Sequence, residues 1–236
     1  KNSVLLLSHP KVLEFIKKNT PNSFTPAIIP FKPSSKLELI CKKNHWLLVA
    51  NPAKINRLYE DKIKFAEICQ THHLPQIPNV VAPLTLDNFN QVQKKFGHEL
   101  VIQTHFGWAG NSTFFAKSYD DATKQILPRT LVKFSPLLSG YSLLNNCCLT
   151  KFGLIQSPPA LQYTGLPALT QNPFATTGRQ WPSLAPTTIQ EQVKKITENF
   201  SSILQQQNFR GFFGLDFFVY QDQVYLLECN PRLTAS

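Results

Sequence analysis

Methionine is absent from this 236-residue chain, and glycine is scarce at nine residues. Acidic residues are also few: 14 Asp and Glu face 24 Lys and Arg, a formal net charge of +10. Charged residues make up only 16% and hydrophobic ones 42%, which excludes a charge-rich disordered chain and supports a packed core. Eighteen phenylalanines make that core aromatic. No apolar run is long enough to cross a bilayer and no secretory signal pattern opens the chain, so no membrane partner is expected. The five cysteines, Cys41, Cys69, Cys147, Cys148 and Cys229, are odd in number, and no Cys-x-x-Cys occurs. That argues against a disulfide framework or structural zinc, and for buried reduced thiols in a cytoplasmic protein. The missing methionine, and an end just past the strongest motif, read as a piece of a longer chain.

The basic surplus favours an anionic partner. Its densest groups, Lys17-Lys18, Lys42-Lys43 and Lys94-Lys95, are scattered and lack interleaved aromatics. This argues against a nucleic-acid groove and for solvated faces plus a phosphorylated small ligand. No Gly-x-Ser-x-Gly, Cys/His pair or zinc motif offers a competing chemistry.

Hydrophobic patterning predicts a strand at 4–7, a helix at 10–18 and a strand at 46–50, as in the end of a nucleotide-fold-like domain. A helix follows over 54–72, stopped by Pro75 and Pro78. Strands at 80–81, 100–104, 113–116 and 130–134 alternate with helices at 87–96 and 120–127, the latter capped by Ser118. Two such passes imply an α+β layer with helices on one face. Residues 140–178 read as two strands, 143–149 and 154–157, and a long loop. The helix over 190–206 carries one apolar stripe, Ile189, Val193, Ile196, Phe200, Ile203 and Leu204, with Thr187 and Gln190 as a capping box.

The chemistry concentrates in 209–236. Two apolar, β-prone runs flank the polar Gln221-Asp222-Gln223, which predicts an antiparallel hairpin. With a three-residue loop centred on Asp222, Asp216 lies directly opposite Glu228, their Cβ atoms about 4.5–5.5 Å apart. Alternation puts Asn230 on the same face. Two facing carboxylates in an apolar sheet repel unless one is protonated or a cation sits between them. Hard oxygen donors suit Mg²⁺ or Mn²⁺, and so few ligands imply that substrate phosphates complete the shell. Geometry alone leaves open a surface hairpin with an edge Asp and a solvated Glu; a four-residue loop would put the acids on opposite faces.

Gly211-x-x-Gly214-Leu215-Asp216, then Leu227-Glu228-Cys229-Asn230-Pro231-Arg232 with Thr234 and Ser236 beyond, resembles the metal-binding end of the ATP-grasp superfamily, nearest its carbamoyl-phosphate-synthase-like and carboxylate–amine ligase branches. The resemblance implies an α+β ATP-grasp fold. It divides the chain into a partial N-terminal domain (1–53), a small subdomain with its entry helix (54–138) and a large subdomain with the metal hairpin (139–236). It implies ATP and Mg²⁺ (or Mn²⁺), the metal held by Asp216, Glu228 and Asn230, with Arg232 on the transferred phosphate. Upstream, Lys62 on the entry helix is implied to contact ATP. The stretch from Val101 to Thr113 resembles the strand and glycine loop over the phosphates, which implicates Gln103, Gly107, Gly110, Ser112 and Thr113. Most family members carry Lys where Gln103 stands. Ser135, Leu137 and Leu138 fall in the hinge beside adenine, and Arg179 is a candidate for a substrate carboxylate or phosphate. The implied activity is ATP-dependent activation of a small-molecule carboxylate as an acyl phosphate, then attack by an amine or another nucleophile. The alternative is a nucleotide-binding module without turnover. A homodimer is compatible with the resemblance.

Overall fold

Asn2 decides the first element. Its side chain accepts the N–H groups of Val4 and Leu5 and caps α1 (Ser3–Ser8), so the expected strand at 4–7 is a helix. A four-residue apolar run fits either state by length, and the cap selects between them. The computed structural model describes residues 2–107 and 112–234. After α1 come α2 (Pro10–Asn19), β1 (Ala27–Ile28), α3 (Ser35–Lys43) and β2 (Leu47–Leu48). The two short strands pair in parallel, so the strand expected at 46–50 shrinks to two residues.

The helix expected over 54–72 is two: α4 (Ala53–Glu60) and α5 (Lys62–Thr71). The break falls at Asp61, whose carboxylate accepts the N–H groups of Ile63 and Lys64 as the cap of α5. An Asp at that position satisfies donors that a continuous helix would not leave free. The break sets Lys62 at the first residue of α5.

A four-stranded antiparallel sheet follows, in the order β3-β6-β4-β5, from β3 (Val80–Pro83), β4 (Leu100–Gln103), β5 (Thr113–Ala116) and β6 (Leu131–Pro136). Helices α6 (Leu86–Phe96) and α7 (Tyr119–Thr123) cover one face, burying Phe89, Leu100, Ile102, Val132 and Phe134. Thr85 caps α6, and Gly97 ends it at φ +96°, a conformation that glycine adopts without steric cost. Ser118 caps α7 as expected, although the helix ends at Thr123 rather than near 127.

The larger sheet has β10-β9-β7-β11-β12 in order, with β8 paired to β7. Its strands are β7 (Tyr141–Thr150), β8 (Gly153–Gln156), β9 (Ala160–Thr164), β10 (Thr176–Gln180), β11 (Gly211–Tyr220) and β12 (Gln223–Asn230). Residues 140–178 thus contribute to four strands rather than two and a loop. β9 and β10 are short and rich in Thr and Gln, without the apolar alternation that reveals a strand. Helix α8 (Thr187–Gln206) lays its stripe on this sheet. Phe200 meets Tyr59 and Phe65 edge-on, with ring centroids 5.6 and 5.7 Å away, which ties α4 and α5 into the same core. The expected capping box does not form: Pro186 is the cap residue, and Gln190 donates to the Ala185 carbonyl instead. All five cysteines are free thiols. Among the described residues, no helix is long and apolar enough to cross a membrane.

Candidate nucleotide and metal site

Strands β11 and β12 are joined by a two-residue turn, Gln221-Asp222, with both residues at positive φ (49° and 58°) and Tyr220 opposite Gln223. The expected three-residue loop is therefore wrong. Uninterrupted, this tighter turn would set Asp216 opposite position 227 and turn Glu228 to the far face. A bulge intervenes: Phe217 pairs with Leu226, Asp216 pairs with Glu228, and Leu227 is the extra residue. The two acids thus face each other by a route different from the one expected.

Asn230 lies over both. Its Nδ2 is 3.5 Å from Asp216 Oδ2 and 3.4 Å from Glu228 Oε1. The Lys62 ammonium is 2.6 Å from Glu228 Oε2 and donates to the Gly107 carbonyl at 3.4 Å. Asp216 Oδ1 is buried with no hydrogen-bond partner among the described residues. The ammonium of Lys62 contacts Glu228 and not Asp216, and the pair divides accordingly. Burial, then the negative charge of Glu228, raises Asp216 well above the usual carboxylate range. Burial pushes Glu228 up too, but Lys62, a hydrogen bond from Asp216 and the Asn230 amide outweigh it and hold Glu228 at about 2. A proton shared by the pair therefore settles on Asp216 before Glu228.

These residues fit a hard divalent cation. The donors are two carboxylates and an amide oxygen, and one carboxylate oxygen is orphaned. The amide group now turns its NH₂ toward the acids, while Asn230 Oδ1 accepts from Arg232 Nη2 at 2.8 Å; half a turn about its last bond would present oxygen instead. Among the described residues, no three His, Cys, Asp or Glu cluster together. The set therefore suits Mg²⁺ completed by other oxygens better than a closed structural site.

The acids open into a cleft of about 570 Å³ between the two sheets. Lys62, Gln103, Gly107, Ser112, Thr113, Ser135, Leu137 and Leu138 all line it. Gln103 donates to Thr113 Oγ1 at 3.1 Å. A Cβ on Gly107 would collide with Ser112, so this close approach requires glycine. Ser112 Oγ is a second buried atom of the lining that has no hydrogen-bond partner among the described residues. The Leu137 N–H is already taken by the Glu99 carbonyl at 3.0 Å. Gly110 lies outside the described residues.

The two arginines stand apart from the lining. Arg232 forms an ion pair with Glu60 at 3.0 Å and lies over the Phe31 ring, 4.8 Å from its centroid. Glu60 also pairs with Lys32. Arg232 thus faces the N-terminal segment while holding Asn230. Arg179 on β10 donates to Gln162 Oε1 at 3.3 and 3.2 Å. Burial lowers its pKa, and Asp216 partly offsets that, which places Arg179 within electrostatic reach of the acids.

Two residues in the site had no expected role. His105 pairs with Asp61 at 2.9 Å, and its carbonyl accepts the Lys62 N–H, so the end of the β4 strand segment is pinned to the start of α5. Lys133 on β6 points into the cleft and is only 8% exposed. Burial, then the like charge of Lys62, brings it down to about 8. A signal existed: Lys133 alternates with the core residues Val132 and Phe134 and shares the phase of Ser135.

Residues 160–236 match the family model of the ATP-grasp domain. Solved structures superpose over far more of the chain. Carboxyaminoimidazole ribonucleotide synthase from Aspergillus clavatus, complexed with ATP, matches with a TM-score of 0.70 at 14% identity, over 97% of this chain and 58% of that one. The chain has the ATP-grasp fold. D-alanyl-alanine synthetase A from Vibrio cholerae gives a TM-score of 0.69 at 12% identity, over 87% of this chain and 67% of its own. Phosphoribosylamine–glycine ligase from Thermotoga maritima gives 0.68 at 18%, over 95% and 59%. The chain spans 58% of the length of the first two ATP-grasp structures it matches. No curated protein sequence matches it.

Proposed function

We propose that this chain is the nucleotide- and metal-binding part of an ATP-dependent ligase that activates a carboxylate as an acyl phosphate for attack by an amine or another nucleophile. The observation that carries the reading is the facing pair Asp216 and Glu228, with Asn230 and Lys62, at the floor of a cleft between two sheets. The divisions we assign are 1–53, a leading unit, 54–138, the small subdomain, and 139–236, the large one.

Asp216, Glu228 and Asn230 would hold Mg²⁺, which supplies positive charge to neutralise phosphate oxygens during transfer. Glu228 is kept ionised by Lys62 and so is ready to ligate. Asp216 is shifted toward its protonated form, and a proton there competes with a cation for the same oxygen. Lys62, fixed by Glu228 and by the Gly107 carbonyl, presents its charge to the cleft beside the glycine-bearing loop. Arg232 orients Asn230 through its amide oxygen and bridges the site to Glu60. Two enzymes of similar fold, D-alanyl-alanine synthetase and phosphoribosylamine–glycine ligase, are named for joining an amino acid to an amine, which supports the reaction class and leaves the substrates to be found.

The test is a panel of carboxylates and amines incubated with the chain, ATP and Mg²⁺, with ADP release as the readout. ADP that appears only with a particular carboxylate and nucleophile supports the reading; nucleotide-independent behaviour across the panel contradicts it. Gln103 supports a second reading, an ATP-binding module that does not turn over and serves regulation or assembly. ATP binding without ADP release, with release appearing in Gln103→Lys, would favour that reading.

A further inference from the structure

The two lysines of the cleft are not held alike. Lys62 is paired with Glu228 at 2.6 Å. Lys133 has no such pairing. It is buried, it lines the cleft, and it makes no hydrogen bond or ion pair among the described residues. Its side chain is largely buried and opens on the cleft, where a bound anion would complete it.

Its position says which anion. On adjacent antiparallel strands Lys133 lies directly opposite Gln103, and Gln103 lies opposite Thr113. Directly paired residues share a face, so all three side chains look into the cleft that also receives the acids. The resemblance assigns a lysine to position 103, and the chain has an uncharged amide there. A positive charge is nonetheless present one strand away, on the same face. Ser112 Oγ, buried on that wall and without a hydrogen-bond partner among the described residues, offers a further donor.

We infer that Lys133 is the residue that binds the nucleotide's phosphate chain in this protein, replacing across the strand pair the cation missing at Gln103. The inference rests on the proposed ATP-binding function and adds to it a specific phosphate ligand. It also removes the ground for reading Gln103 as a sign of lost turnover. The neutral glutamine then serves as a spacer, held to Thr113, which leaves the cleft open to the Lys133 ammonium.

Three forms of the chain test it: the unaltered chain, Lys133→Met, and Lys133→Met combined with Gln103→Lys. Dissociation constants are measured for ATP and, by competition, for adenosine. Melting curves establish that each form is folded. Loss of one charge-assisted contact should weaken ATP by about 10- to 100-fold in Lys133→Met and leave adenosine within about twofold. Returning a lysine at position 103 should recover most of the ATP affinity. Unchanged ATP affinity in Lys133→Met, or equal losses for ATP and adenosine, overturns the inference while the proposed function stands. A double variant no tighter than Lys133→Met also overturns it, since the loss then belongs to packing. Absence of ATP binding by the unaltered chain sinks the proposed function and this inference together.

Discussion

Replacing Asp216 by Asn should make the metal-free protein more stable and remove its response to Mg²⁺ and ATP. In the free chain, Asp216 faces Glu228 across β11 and β12, Lys62 contacts Glu228 alone, and Asp216 Oδ1 has no hydrogen-bond partner among the described residues. An amide there is uncharged at every pH and can donate to Glu228 without taking up a proton. The gain should be about 1–2 kcal/mol, below the full cost of a buried unpaired charge because the side chain borders a solvated cleft. For a chain of this length the unfolding entropy is about 0.5 kcal/mol/K, so the midpoint should rise by about 2–4 °C. The pH dependence has a fixed sign. Asp216 titrates above its ordinary range when folded, so the folded state binds more protons than the unfolded one once pH exceeds that range. Wild-type stability then falls as pH rises, and the Asn variant is spared that loss. The difference should vanish near pH 4 and be open by pH 7. Mg²⁺ with ATP at 100 times its Kd should add about 2.7 kcal/mol to the wild type and little to the variant. Melting curves at pH 4–8, with and without Mg²⁺ and ATP, provide the check. A variant less stable than wild type at pH 7 without metal, or one with an undiminished ligand shift, refutes the reasoning.

Phe200→Ala should cost about 3–5 kcal/mol, because this fully buried ring joins α8 to Tyr59, Phe65 and Phe213; urea unfolding measures it, and a loss under 1 kcal/mol contradicts the packing described. Lys133, at about 8 in the folded chain against the ordinary 10.5, gives up its proton earlier than in the unfolded chain. The nucleotide-free protein should therefore gain about 2 kcal/mol between pH 7.5 and 9.5 through this group. Denaturant midpoints across that range should show a rise that is absent from Lys133→Met; equal pH slopes in the two proteins contradict the burial of that ammonium.

The parts of the molecule that were legible in the sequence are those where period and burial agree. The stripe of α8 and the two runs of the β11–β12 hairpin each bury one face, so residue type follows geometry closely. The failures are just as physical. α1 exposes Leu5 and Leu6, so no core face informed the choice of state, and the cap at Asn2 decided it. β9 and β10 are held by pairing with neighbours rather than by an apolar face. In the site, the facing of Asp216 and Glu228 was legible, but the bulge at Leu227 that produces it was not. A two-residue turn and one extra strand residue have the same net effect on register as the longer loop. Arg232 was expected at the phosphates; its pairing with Glu60 joins positions remote in the chain, which no local pattern records. Lys133 was visible as a lysine inside an apolar strand, but only the strand order β6-β4 places it opposite Gln103.

In the proposed function, Asp216 and Glu228 jointly hold a divalent cation that ATP requires. Calorimetric titration of ATP with and without Mg²⁺, into the wild type and into Glu228→Gln, tests it most directly. ATP should bind tightly only to the wild type with Mg²⁺, and at least about tenfold more weakly to the variant, by loss of a charged ligand. Equal affinities in the two proteins, or wild-type affinity indifferent to Mg²⁺, would contradict it.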